Sequence, residues 1–262
     1  GKIYVGIMGG VYVFDTENNR FIKYIVDNNG KNLFHAQAIC QSLLEDEEGN
    51  LWIAVNGSGL YKYDTVAKQI TNYHPDRGPG SLGHNTVLSS AMNSNGEMYF
   101  SLIFRGIDKY IKSEDGFIHY SYDSDKKTAF TSEDIRCISF DKDNRLWIAT
   151  DSGINILDQK EKLMYYFHDE NKKGSLPDND MVSIYHDRNN TTWVGTSAGL
   201  AEFDSKNSTF ENLSEKYHFA EDGVVGIAED NSGNLWLLAR RGLMRYNKKD
   251  HSTKKYDYSD GL

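Results

Sequence analysis

The sequence predicts an all-β fold assembled from repeated four-stranded antiparallel sheets, and three observations predict it. One phrase recurs six times: an aromatic, an apolar and a small residue, then Gly-aliphatic, then in most copies an aromatic followed by Asp. Its central aromatics are Tyr4, Trp52, Tyr99, Trp147, Trp193 and Trp236. Successive copies start 48, 47, 48, 46 and 43 residues apart, and all four tryptophans fall at this phase. Around them run short apolar stretches of period two bounded by Gly, Asn and Asp, with hardly any helical spacing and only three prolines in 262 residues. Four short strands per 43 to 48 residues describe the blade of a β-propeller.

The elements follow in order. First strands are predicted over 87–92, 135–140, 181–185 and 224–228. An Asp or Asn stands six residues before the central aromatic (Asp46, Asn93, Asp141, Asp187, Asp230), where its side chain suits the turn into the second strand. The second strand holds the Trp or Tyr, and the third follows the glycine, as in Leu60-Tyr61-Lys62-Tyr63. The fourth takes 70–73, 117–120, 164–167 and 210–213. Small residues recur two places after the aromatic (Gly6, Ala54, Ser101, Ala149, Gly195, with Leu238 the exception) and ten places before it (Ser42, Ser89, Cys137, Ser183, Gly226). Sheets converging on a tight axis need such residues on their inner strands, and the large aromatic then fills the widening gap between sheets.

The chain is therefore expected to be a single propeller segment over 1–262, with repeat units near 1–37, 38–84, 85–132, 133–178, 179–221 and 222–262. Second, third and fourth strands are counted six times and first strands five, so the parent protein is expected to continue on both sides. Isolated units of such a repeat are not expected to fold.

Composition narrows the function classes. A net charge of −9 without a long Lys/Arg cluster argues against nucleic acid and against an anionic membrane surface. No apolar run approaches the roughly 20 residues that span a bilayer. Cys40 and Cys137 fall at different phases of non-adjacent repeats, so buried free thiols are expected rather than a disulfide.

Several short motifs dissolve into the repeat. Gly195-Thr196-Ser197-Ala198-Gly199 has the spacing of a nucleophile elbow but lies between two strands with no helix to follow. Asp141-Lys142-Asp143-Asn144 opens like a calcium loop, yet its sixth and twelfth positions are Leu146 and Ser152. The eight histidines show no metal-binding spacing and no phosphate cradle occurs, so neither a metal nor a cofactor is expected.

At Asp46 through Ala54, Asp230 to Leu237, Trp193-Val194-Gly195-Thr196, Gly199-Leu200 with Phe203-Asp204, and Ser81-Leu82 with Asn85 and Ser175-Leu176 with Asn179, the chain resembles the two-component regulator propeller repeat. The third unit departs most, with Tyr99 for Trp and Ile111 for the closing Asp. The resemblance implies the periplasmic sensor region of a Bacteroidetes hybrid two-component system: a non-enzymatic, usually seven-bladed propeller that recognises oligosaccharide signals. A histidine kinase outside this chain, further propeller or signalling domains of the same parent and a receptor homodimer are implied with it.

Ligand-binding groups on a propeller sit on loops held by rigid strands. The turns between second and third strands and the segments leading from blade to blade meet at one face and vary here. They offer Asn56, Phe104, Arg105, Asp151, the pair Arg240-Arg241 and His84 as candidates. Phe104 could stack on a sugar face beside Arg105, and Arg240-Arg241 could hold the carboxylate or sulfate of an acidic glycan. Two rivals stand beside this reading. A propeller lyase or lactonase would need acid, base or metal groups on several first strands, where Ser, Cys and Gly stand instead. A protein-interaction scaffold of the WD type would need a Gly-His to Trp-Asp signature that is absent.

Overall fold

The computed structural model describes residues 3–25, 34–76, 78–120, 130–160, 162–219, 223–240 and 242–260. They fall into two compact units, Gly1–Ser121 and Tyr122–Leu262. The first unit opens with a three-stranded sheet of β1 (Ile3–Ile7), β2 (Gly10–Asp15) and β3 (Arg20–Lys23). Two four-stranded sheets follow: β4 (Cys40–Glu45), β5 (Leu51–Val55), β6 (Gly59–Tyr63) and β7 (Ile70–Tyr73), then β8 (Val87–Met92), β9 (Met98–Leu102), β10 (Gly106–Ile111) and β11 (Gly116–Tyr120).

The second unit holds three more. They are β12 (Ile135–Phe140), β13 (Leu146–Thr150), β14 (Gly153–Leu157) and β15 (Leu163–Tyr166); β16 (Met181–His186), β17 (Thr192–Thr196), β18 (Gly199–Asp204) and β19 (Thr209–Asn212); and β20 (Val224–Glu229), β21 (Asn234–Ala239), β22 (Gly242–Asn247) and β23 (Thr253–Tyr256). Every sheet is an antiparallel meander in chain order, and among the described residues the first sheet has three strands where the others have four, in line with the strand count. These are propeller blades. Within each unit the first strands of neighbouring sheets lie side by side, β4 against β8 and β12 against β16 against β20.

Within each unit the cores lie between successive sheets, which explains the period-two pattern. Along β5 all five residues are buried because alternate side chains face opposite neighbours. Leu51, Ile53 and Val55 pack with Val11 of the first sheet, while Trp52 and Ala54 pack with Phe100 and Leu102 of the third. Trp147 faces Phe203 in the same way and Trp193 faces Tyr246, with ring centroids 5.0 and 6.4 Å apart. Tyr110, Phe203 and Tyr246, which close their third strands, thus each meet the central tryptophan of the sheet before. Trp52, Trp147 and Trp193 are buried wedges, as the repeat required. Trp236, in the last sheet, stays partly exposed and stacks on Tyr256.

The turn carboxylates do more than cap the backbone. One Asp141 oxygen accepts the backbone N–H groups of Asp143 and Arg145, and the other accepts the Trp147 indole N–H at 2.9 Å. Asp46, Asp187 and Asp230 hold Trp52, Trp193 and Trp236 likewise at 2.9, 3.0 and 3.1 Å. In the third blade Tyr99 has no indole N–H to place. Its partner there is Asn93, whose amide instead donates to Glu97.

Close approach explains the small residues. A Cβ on Gly195 would come within 2.4 Å of the Val224 carbonyl, and one on Gly6 within 2.3 Å of Cys40 Sγ. Ala54, Ser101 and Ala149 at the same phase are buried, whereas Leu238 in the last sheet is 50% exposed. Two details depart from expectation. Leu213 ends no strand; the chain turns there into a short helix, α1 (Leu213–Tyr217), capped by Asn212, whose side chain accepts the Glu215 N–H. Both cysteines are free thiols, half-buried rather than fully buried.

Candidate functional site

In four blades the turn between second and third strands is tied to the residue that precedes the first strand of its own blade. The N–H groups of Asn56, Ile103, Asp151 and Ser197 donate to the carbonyls of Ile39, Thr86, Asp134 and Asp180. The glycine opening the third strand reaches the lead-in of the next blade, Gly59 to Asn85 and Gly153 to Asn179. These bonds build a rim out of loops, held from both sides by strand ends.

In the first unit Thr86 is the hub of that rim. Its hydroxyl accepts the Gly57 N–H at 3.1 Å and donates to Asn56 Oδ1 at 3.2 Å; its own N–H donates to His84 Nδ1 at 3.0 Å, and its carbonyl takes the Ile103 N–H at 3.1 Å. Asn56, His84 and the turn carrying Phe104 and Arg105 are therefore joined through one buried threonine. Two consequences follow for hydrogen bonding. The His84 ring carries its proton on Nε2, because Nδ1 is an acceptor. The Asn56 amide nitrogen is left as a donor, because its oxygen is taken.

The remaining candidates lie in the second unit. Asp151 is exposed and, among the described residues, its carboxylate accepts only the Ser152 hydroxyl, at 3.0 Å. Arg240 is exposed in the turn between β21 and β22. Arg241, its proposed partner, lies outside the described residues. Ser197 is no nucleophile in waiting: its hydroxyl donates to Asp178 at 2.8 Å between two strands. Asn179 stabilises its turn, accepting the His168 N–H at 2.6 Å.

Sequence reasoning missed Thr86 and Arg136. In all five first strands the pairing register shifts after the first residue, leaving Gln41, Leu88, Arg136, Val182 and Val225 as extra residues. Arg136 uses that position to reach Asp180 at 2.8 Å and Asp134 at 3.4 Å. On the rim of the second unit Asp134 and Asp180 thus share one cation, while Asp151 and Asp178 meet hydroxyls. The first unit presents donors.

The opposite ends of the blades carry clefts beside the Asp–Trp turns, of about 350 Å³ between the second and third sheets and about 370 and 510 Å³ along the second unit. Their charges are mostly spent. Lys248 bridges Asp187 and Glu229 at 2.6 Å each; burial works against its charge, but the two carboxylates outweigh it and hold the ammonium above its usual pKa. Burial, with Glu211 beside it, pushes Glu202 up. Burial also brings His186 down to about 4. Among the described residues no three His, Cys, Asp or Glu side chains gather as a metal site.

Comparison with known proteins follows this geometry. Residues 129–152 and 175–198 match the two component regulator propeller. Over 260 residues the chain is 25% identical to histidine kinase P4 of Formosa agariphila, covering 97% of this chain and 18% of that protein. In fold it is similar to the extracellular domain of a putative hybrid two component system from B. thetaiotaomicron, with a TM-score of 0.78 at 22% identity over 98% of this chain and 33% of that one. It is also similar to a streptogramin B lyase, with a TM-score of 0.67 at 16% identity over 98% and 79%. At these identities the structures testify to the propeller fold alone. No helix among the described residues is long and apolar enough to cross a membrane. In sequence the chain is thus similar to the two-component regulator propeller over two of its repeats, and in structure it is a β-propeller.

Proposed function

We propose that this chain forms part of the periplasmic sensor region of a hybrid two-component receptor, and that the Thr86 rim binds an oligosaccharide whose arrival is relayed to a histidine kinase elsewhere in the parent protein. The relationship to a histidine kinase of which this chain covers 18% supports the receptor setting. The observation that carries the ligand reading is the rim itself: Asn56, His84 and the turn of Phe104 and Arg105 are joined through Thr86, with donors turned outward beside an exposed aromatic. Hydroxyl-rich sugars are recognised by such groups on rigidly held loops. Further propeller or signalling domains of the same parent, and a second receptor copy, are the partners through which the signal leaves.

A non-enzymatic role fits the inner strands, which carry Ser42, Ser89, Cys137, Ser183 and Gly226 where a propeller lyase or lactonase would gather acids and bases. The test is calorimetry of the receptor's intact extracellular region against a panel of oligosaccharides. One sugar should bind at micromolar affinity, and Asn56→Ala should weaken it about tenfold, the worth of one hydrogen bond. Silence across the panel would overturn the reading.

A further inference from the structure

Phe104 sits where the backbone resists it. Nine non-glycine residues among those described hold a positive φ, and eight of them are Asn, Asp, Ser, His or Lys; Phe104, at +52°, is the exception. In the preceding blade the same turn position is Gly57, at φ +69°, which has no Cβ to strain. Packing does not compensate for the aromatic residue here, since Phe104 is 59% exposed. A strained backbone that holds a large apolar ring out in water gives the fold nothing, and such residues concentrate at functional sites.

The polar groups around it are unbalanced in one direction. The Asn56 amide nitrogen, His84 Nε2–H and the Arg105 guanidinium are all donors, and among the described residues none of them has an acceptor. Arg105 is exposed beside the ring, and no described carboxylate pairs with it, although the chain carries a net charge of −9. A ligand that completes this group must bring acceptors, a negative charge and a flat apolar face. A sugar acid has all three: hydroxyl and ring oxygens, a carboxylate, and the C–H face of a pyranose.

We propose that Phe104 and Arg105 form a subsite for a uronic-acid residue of an oligosaccharide. The pyranose stacks on Phe104, the carboxylate takes two parallel hydrogen bonds from the Arg105 fork, and Asn56 and His84 donate to neighbouring hydroxyls. This rests on the sugar-sensing reading above and adds to it the class of sugar and the residues that select it.

The experiment titrates the intact extracellular region with short uronate oligosaccharides and with their carboxyl-reduced counterparts, which keep the skeleton and lose the charge. Wild type should bind an acidic form at least about tenfold more tightly than its reduced form. Arg105→Ala should remove that difference by weakening the acidic form about tenfold more than the reduced form. Phe104→Gly should weaken both forms about tenfold, with a melting temperature equal to or above wild type because the strain is relieved. Equal affinity for acidic and reduced forms would overturn the subsite, and so would a lower melting temperature for Phe104→Gly, which would make the ring structural. Tight binding of a neutral oligosaccharide that neither variant disturbs sinks this subsite and spares the sensor reading. Silence toward both acidic and neutral sugars sinks both.

Discussion

At the scale of the residue, the carboxylate six places before each tryptophan is the most informative group in the chain. The spacing shows a turn-capping Asp, and the structure confirms the cap; it could not show that the second oxygen receives an indole N–H, because spacing does not reveal which way a carboxylate faces. The Asn93–Tyr99 unit makes the logic visible, since the amide appears where the indole is gone. Asp141→Asn should therefore keep the turn but leave the buried Trp147 N–H without an acceptor. We expect a loss of about 1–3 kcal/mol, measured as a shift of the urea midpoint without loss of β-sheet circular dichroism.

These carboxylates also set an acid limit. Burial opposes ionisation of Asp141, but the Trp147 indole and the Arg145 backbone and guanidinium N–H groups outweigh it and hold the group below the usual carboxylate range. Asp230 is held down to about 2, chiefly by the Asn234 side-chain and backbone N–H groups. A pKa lowered by folding contributes stability above the unfolded value of about 4 and loses it as pH falls through the folded value. His186, brought down to about 4, adds a loss that starts earlier, as pH falls below about 6.5. Urea midpoints should fall in two stages, gently from pH 6.5 to 4 and steeply below it. A midpoint that stays flat down to pH 3 would contradict this account.

At the scale of the element, strand order and most boundaries were readable because both faces of the second strands are apolar and their turns are marked by Asx and Gly. The register shift in every first strand was not. An extra residue inside an alternating run looks like ordinary alternation one place along, so Arg136 could not be recognised as the bulge residue. Nor could α1, since five residues are too short to show helical period. The small residues were legible, and the structure ranks them. At Gly195 an added methyl meets the Val224 backbone, which cannot move without the sheet; at Gly6 it meets Cys40 Sγ, which can rotate aside, and Cys40 Cβ at 2.9 Å, a milder overlap than that with the carbonyl. Gly195→Ala should therefore cost about 1–3 kcal/mol and Gly6→Ala distinctly less, both read by thermal denaturation. Equal costs would mean that the inner strands pack more loosely than described.

At the scale of the whole molecule, the repeat gives two units the same blade plan and different rims. The first presents donors around Thr86, and the second presents carboxylates, two of them paired with Arg136. Candidate positions on the loops could be named from the sequence because those loops vary between repeats. Their grouping could not, because it depends on Thr86, a residue whose side-chain bonds reach 30 positions back along the chain. Clefts lie at the other end of the blades, yet Lys248, Asp187 and Glu229 already satisfy one another there. The most direct measurement is a crystal structure of the extracellular region with a bound oligosaccharide. The account predicts sugar density within hydrogen-bonding reach of Asn56, His84 and Arg105, with a ring lying on Phe104. Density confined to the clefts beside Lys248, with the Thr86 rim bare, would contradict it.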